Sequence, residues 1–353
     1  MIYFIDTVKR SFNEKGKYSA MSKPRTDIIK SFLSFPNTRL VTITSRVKEN
    51  PSRMARMVNN VWMLIESKFK CSKIRRTDVV VQYPFTDGIM IPIIKSLIER
   101  GDRIHIVIHD IETIRQNRTI ERDKFILKIA DTLIVHTPEM KSAIKGMGYE
   151  GRIEILEFFD YLMAGNTPSH RIGNDNRVIF AGNLKKSQFI PKLEDIIVDK
   201  NFSIFLYGKP ETSDIKEFVK YKGFFQADDI SGIEGDWGLV WDGDSVDTCS
   251  GEFGDYLKYN APFKMSLYLA AGMPVIVWKQ SAMAQYVNNY QLGLCVDSLH
   301  DIRSCILKLS EKERKEIERG VQTYSEKVRT GQMFKKIMNK LFPEELCVKN
   351  ITN

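Results

Sequence analysis

The chain lacks any run of about 18 uninterrupted apolar residues, so no segment reads as a membrane-spanning helix. Its start, MIYFIDTVKR, is too short in its apolar part for a secretory h-region and reads as a first strand, which makes the cytosol the expected compartment. Cysteine is scarce: Cys71, Cys249, Cys295, Cys305 and Cys347 are odd in number and without metal-ligand spacing, so free thiols are expected rather than a disulfide framework or a metal site. Helix-turn-helix, zinc-finger and RNP-type patterns are missing, and the basic residues are spread along the chain instead of gathered among aromatics, which argues against a nucleic-acid partner. No repeat of solenoid length is visible. What the chain does have is size and a positive balance. With 353 residues, 43% of them hydrophobic, it exceeds the length at which a single core stops growing, and its net charge of +9 calls for an anionic partner.

Strand and helix signals alternate as in a parallel α/β sheet. The strand candidates are Ile2–Ile5, Leu40–Thr44, Val79–Gln82, Ile104–Ile108, Thr132–Val135 and Ile153–Leu156, with helical periodicity at Arg53–Phe69, Ile89–Arg100 and Glu139–Met147. Gly165–Arg177, rich in Gly, Asn, Pro and Ser, reads as a linker. A second series follows at Val178–Phe180, Ser203–Leu206, Gly238–Trp241, Pro274–Trp278 and Leu292–Val296. The predicted division is therefore 1–165, 166–330 and a last segment, 331–353, holding a helix and a frayed VKNITN tail. Met333, Phe334, Ile337, Met338, Leu341 and Phe342 share one face of that helix, with lysines around it. The face either packs on the first domain or contacts a membrane.

Chemistry concentrates in Gly238–Val277, which reads as strand, long polar loop, helix and strand. The loop carries Asp242, Asp244, Ser245, Asp247, Thr248, Ser250, Tyr256, Lys258, Tyr259 and Asn260 before Lys264 opens the helix. Ligands of parallel α/β units sit beyond the carboxyl ends of strands, where such loops and helix N-termini converge. The run WDGDS…TCSG…YLKYNAPFK…LAAGMPVIVW resembles the bacterial β-1,6-galactofuranosyltransferases of polysaccharide synthesis. It is also similar to the glucosyltransferase 3 group that extends glycans on streptococcal serine-rich adhesins. The resemblance implies a GT-B fold: two Rossmann-like doubly wound domains facing a cleft, a nucleotide-sugar on the C-terminal one, the acceptor on the N-terminal one, and a last helix returning to the N-terminal domain. It further implies a UDP-sugar donor, a lipid-linked or protein-linked glycan acceptor, and no cofactor or metal. The basic surface suits that donor and an acceptor at the inner membrane face, and a homo-oligomer is also expected.

Several residues are then assigned. Lys264, at the first turn of a helix running Pro262–Ala271, matches a lysine before the LAAG-PVIV run of the glucosyltransferase 3 pattern, which implies a diphosphate contact; a solvated lysine is the alternative. Gly182 and Asn183 end the strand VIFAGN, where backbone can approach a ligand, though Gly-Asn is also an ordinary turn. Lys186 falls where the pattern has a basic residue for the donor phosphates, with Lys replacing Arg and losing the bidentate fork. Trp241, Asp242 and Asp244 read as a loop for sugar hydroxyls or the diphosphate, with capping as the alternative; the DGD resembles a DxD metal motif, but two Rossmann-like halves are not its setting. Tyr256, Tyr259 and Asn260 are sugar or nucleotide contacts by the same reasoning.

The base that takes the acceptor proton is expected from the N-terminal domain, at His109-Asp110 after IHIVIHD, with Asp87 as runner-up; an N-cap or turn role competes for both carboxylates. The basic, polar segment Asn13–Arg25 reads as a cleft loop. A UDP-sugar epimerase or phosphorylase on the same fold, and a non-catalytic two-domain binding protein, are the other classes.

Overall fold

The computed structural model describes residues 1–9, 22–47, 51–165, 176–196, 202–208 and 219–346. The linker centre, the first part of the Asn13–Arg25 segment and the VKNITN tail lie outside the described residues.

The N-terminal half runs β1 (Ile2–Lys9), α1 (Lys23–Leu33), β2 (Thr38–Ser45), α2 (Arg53–Lys70), β3 (Asp78–Tyr83), α3 (Met90–Glu99), β4 (Arg103–Ile108), α4 (Glu112–Arg115), α5 (Glu121–Ile129), β5 (Thr132–Val135), α6 (Pro138–Gly146) and β6 (Arg152–Ile155). The C-terminal half runs β7 (Asn176–Ala181), β8 (Phe202–Tyr207), β9 (Val219–Tyr221), β10 (Trp237–Val240), α7 (Gly251–Tyr256), α8 (Phe263–Ala270), β11 (Val275–Trp278), α9 (Ala284–Tyr290), β12 (Gly293–Val296), α10 (Ile302–Lys308), α11 (Glu311–Arg329), α12 (Gln332–Leu341) and α13 (Pro343–Leu346). The described strands form two six-stranded sheets, ordered β2-β1-β3-β4-β5-β6 and β12-β11-β10-β7-β8-β9. All pairings are parallel, for example Ile2 beside Thr38 and Trp237 beside Val178.

Parallel strands covered on both faces need continuous apolar runs, and the fully buried β3, β5, β10 and β11 supply them. In each sheet the chain winds outward from one point in both directions. That point lies between β1 and β3 in the first sheet and between β7 and β10 in the second. Loops diverge there, leaving a crevice at the carboxyl ends of the strands.

One hydrophobic cluster joins the halves: Phe158, Phe159 and Tyr161 pack with Met265, Tyr268, Tyr286 and Tyr324. α12 crosses back and buries Met333, Phe334, Ile337 and Met338 in the same cluster as Ile28 and Phe32 of α1. The Asp160 carboxylate accepts the Met333 and Phe334 N–H groups at 3.0 and 2.9 Å, satisfying two donors of the α12 N-terminus. Lys336 pairs with Glu157 at 3.0 Å and Lys340 with Glu154 at 2.5 Å. The apolar face of the last helix is thus spent on the N-terminal domain, and the membrane alternative for it falls away.

Two readings of local structure are corrected. Residues 23–25 are not loop but the first turn of α1, with Pro24 in a position where its missing N–H costs nothing. Lys23 is buried there, paired with Asp27 at 2.9 Å and Asp228 at 3.0 Å. The polar stretch after Trp241 is not one long loop, because α7 folds inside it.

Candidate functional site

The C-terminal side of the cleft is built where β7 and β10 part. Gly182 follows β7, Asp242 follows β10, and Lys264 stands in the first turn of α8. The Lys264 ammonium donates to Asp242 Oδ1 at 2.7 Å and to the Trp241 carbonyl at 3.1 Å, and lies 4.7 Å from the centre of the Phe180 ring. Gly182 leaves room beside it: a Cβ on that residue would come 3.2 Å from Lys264 Cε, a tight contact. The Trp241 ring itself is core, its indole N–H donating to the Ser245 carbonyl at 2.9 Å, so this residue faces the site through its carbonyl alone.

The remaining loop residues have separate duties. Asp244 accepts from the Ser250 hydroxyl at 2.5 Å, which holds its carboxyl below the usual range, and its carbonyl accepts from Lys192 at 2.6 Å. Asn183 is exposed and closes a turn, its Oδ1 accepting the Lys186 N–H at 3.3 Å. Burial pushes the Cys249 thiol up, away from the thiolate a nucleophile needs. Asn260 keeps a buried Oδ1 that has no partner among the described residues, a vacant acceptor beside the helix start.

Tyr256 is not an open sugar contact. It is buried, and its hydroxyl accepts the Ile111 N–H at 2.9 Å, bridging the two domains beside Asp110, whose charged form it favours. Tyr259 contributes a carbonyl that accepts from Thr137 Oγ1 at 2.5 Å. Next to it the Ala261 N–H donates to His136 Nδ1 at 3.1 Å, while His136 Nε2 donates to the Ile108 carbonyl at 2.8 Å. Those two bonds fix the neutral tautomer, and burial lowers the His136 pKa to about 4.

On the N-terminal side, Asp110 ends β4 as a half-buried carboxylate. Burial is the main cause that raises its pKa to about 6; Glu112 adds to the rise, while Arg115, Lys186 and the Tyr256 hydroxyl oppose it. Lys186, from the C-terminal domain, therefore acts on a carboxylate of the N-terminal one. Its ammonium also lies 4.9 Å from the Phe253 ring centre, over which Arg115 stands at 5.7 Å. Arg115 pairs with Glu112 in its own helix and with Glu252 of α7 at 3.4 Å, so α4 and α7 close one end of the cleft. His109 stacks on Phe159 with ring centres 4.9 Å apart and bonds Gln82 Oε1 at 2.8 Å; burial holds its pKa well below the ordinary value. Asp87 accepts the Ile89 N–H at 3.2 Å, the local turn role that competed with catalysis.

Sequence patterns did not point to Arg115, Arg25 or His136. α4 has four residues, too few for a period, and Arg25 sits in the segment read as loop. Arg25 donates to the Pro84 carbonyl at 3.0 Å and lies 3.6 Å from Asp6, whose carboxyl burial raises.

Family models of the glucosyltransferase 3-like N-terminal and C-terminal domains match residues 7–158 and 178–341. The β-1,6-galactofuranosyltransferase WbbI of Escherichia coli K12 is 31% identical over 248 residues, 69% of this chain and 72% of that protein. Glucosyltransferase 3 of Streptococcus gordonii is 26% identical over 212 residues, 59% of this chain and 60% of that protein. Among solved structures, the Anabaena HepE protein in complex with UDP-glucose superposes with a TM-score of 0.59 at 12% identity, covering 97% of this chain and 99% of its own. Sucrose-phosphate synthase of Thermosynechococcus elongatus gives 0.61 at 11%, covering 97% and 98%. The structural likenesses show the fold alone, and that fold is GT-B, as the loop motif implied.

Proposed function

The chain belongs to the glucosyltransferase 3-like family, and on that premise we propose that it moves a hexose from a UDP-sugar to a glycan acceptor of a surface polysaccharide or glycoprotein. It is a glycosyltransferase of GT-B fold. Galactofuranose is the first choice of sugar and glucose the second, following the higher identity to the galactofuranosyltransferase. The donor domain is 166–330 and the acceptor domain 1–165, with the acceptor glycan carried on lipid or on protein.

The observation that carries the reading is the meeting of Gly182, Asp242 and Lys264 at the strand ends of one domain, with Asp110 of the other domain within electrostatic reach of Lys186. In the resting chain Lys264 is held by Asp242. Donor diphosphate displaces that carboxylate and takes the ammonium, with the α8 N-terminus supplying a positive dipole end and Lys186 a second cation. As the anomeric bond breaks, negative charge grows on the departing phosphate, and these fixed groups stabilise it more than they stabilise bound substrate. Asp110 takes the proton of the acceptor hydroxyl. A carboxylate raised to about 6 is a stronger base than an ordinary aspartate and is still ionised at neutral pH. Diphosphate stabilisation is assigned to these side chains, without a divalent ion or cofactor.

The test incubates purified protein with UDP-galactofuranose, UDP-galactopyranose, UDP-glucose and UDP-N-acetylglucosamine and follows UDP release with and without glycan acceptor. Acceptor-dependent release, fastest from UDP-galactofuranose, is expected. Conversion of the UDP-sugar to an epimer with no UDP released would contradict transfer.

A further inference from the structure

α2 carries apolar side chains on both sides. The side it turns to the protein buries Met63 and is anchored to edge strand β2 by polar groups: Asn59 accepts the Arg46 N–H at 2.8 Å and donates to Ser45 at 3.2 Å, and Glu66 accepts the Thr44 N–H at 3.2 Å. The side it turns outward is apolar. Met57, Val58, Val61, Trp62 and Ile65 lie at helical spacing on it, with Met54 at one end and Phe69 at the other; Met54 is 75% exposed, Trp62 53% and Phe69 83%. Seven large apolar side chains on one stripe exceed the scattered exposure of a soluble surface, and folding does not need them there.

The charges select the occupant. Arg53, Arg56, Lys68 and Lys70 accompany a single acid, Glu66, which Lys70 holds at 2.7 Å, and Arg46 lies 5.8 Å from the Trp62 ring centre. Two copies joined through this face, parallel or antiparallel, would set cation against cation, a juxtaposition that costs binding energy. An anionic bilayer meets both features, since the apolar stripe enters the acyl boundary while lysine and arginine stems reach back to the headgroups. We propose that the outward face of α2 docks this protein on anionic phospholipid membrane. Because α2 follows the carboxyl end of β2, its Arg53 end stands at the edge of the sheet where the cleft opens. The inference stands on α2 alone and is independent of the sugar and of the cleft residues.

The test is sedimentation with phosphatidylglycerol–phosphatidylcholine vesicles and with pure phosphatidylcholine vesicles, together with tryptophan emission. Trp237, Trp241 and Trp278 are buried, so Trp62 reports contact. Binding to the anionic vesicles with a blue shift is expected, weakened by salt. V61D/I65D should lower the partition roughly tenfold or more through lost apolar burial, and R53Q/K68Q roughly tenfold through lost charge. Both variants should keep the wild-type melting temperature, since the altered side chains are not packed. Absence of partition at low salt, or equal binding to neutral lipid, would overturn the proposal. So would light scattering showing a dimer that V61D/I65D dissociates without any lipid binding. UDP release to a soluble acceptor, followed in parallel, keeps failure of membrane docking distinct from failure of the transferase reading.

Discussion

The two walls of the cleft are built on the same plan and hold their charges differently. On the C-terminal wall Lys264 and Asp242 form a half-buried pair made within one domain, from the loop and helix that follow a single strand. On the N-terminal wall Asp110 owes its raised pKa to burial, modulated by Tyr256 and Lys186 of the opposite domain. The cation proposed to meet a diphosphate is prepared within its own domain, whereas the proposed base is raised by burial and held back from a larger rise by groups of the opposite domain.

The sharpest way to break that contrast is D110N. It removes the proposed base while keeping the shape, so turnover should fall on the order of 10²- to 10⁴-fold with the melting temperature held or raised. In the wild-type enzyme kcat/KM should climb with pH through about 6 and level off above, because the ionised form is the active one. For stability the sign is opposite. The folded pKa lies above the ordinary 3.8, so the contribution of this group is fully present below pH 4 and is lost as pH rises through 6. A pH-rate profile and thermal melts across that range check both.

K264A should follow, with a loss of about 2 to 4 kcal/mol of transition-state stabilisation, or roughly 30- to 1,000-fold in rate. Alanine is the best helix former, but the substitution leaves Asp242 without its partner, so the melting temperature should fall by a few degrees while the fold is kept. Y256F sharpens the comparison from the other side. Without the hydroxyl the Ile111 N–H loses its partner, at about 1 to 3 kcal/mol of stability. Asp110 loses a group that stabilises its charge, so the acid limb of the rate profile should move upward in pH by roughly one unit or less. The smallest effect belongs to D87A. It removes one bond to the Ile89 N–H, about 1 kcal/mol, and should leave turnover near wild type in a steady-state assay.

The contrast also explains what could be read from the chain alone. Strands announced themselves because buried parallel strands are continuous apolar runs; Gly182 and Asp242 stood out because they follow such runs, and Lys264 because it opens the helix before the next one. Three-residue β9, four-residue α4 and six-residue α7 carry no usable period. The duty of Tyr256 was hidden because its partner Ile111 lies 145 residues away and in the other domain. α2 was legible as a helix, yet period reveals a stripe without saying which side meets the protein. Its polar anchors to Thr44, Ser45 and Arg46 turn that stripe outward.

The central claim is that the C-terminal wall grips the donor through Lys264 without a metal. Calorimetric titration of UDP into the wild-type protein and K264A, each with EDTA and then with manganese, tests it most directly. The account predicts wild-type affinity unchanged by chelation and weakened at least roughly tenfold by the substitution, as expected for loss of a charge-assisted contact. An affinity that vanishes in EDTA and returns with manganese, or one that K264A leaves intact, would contradict it.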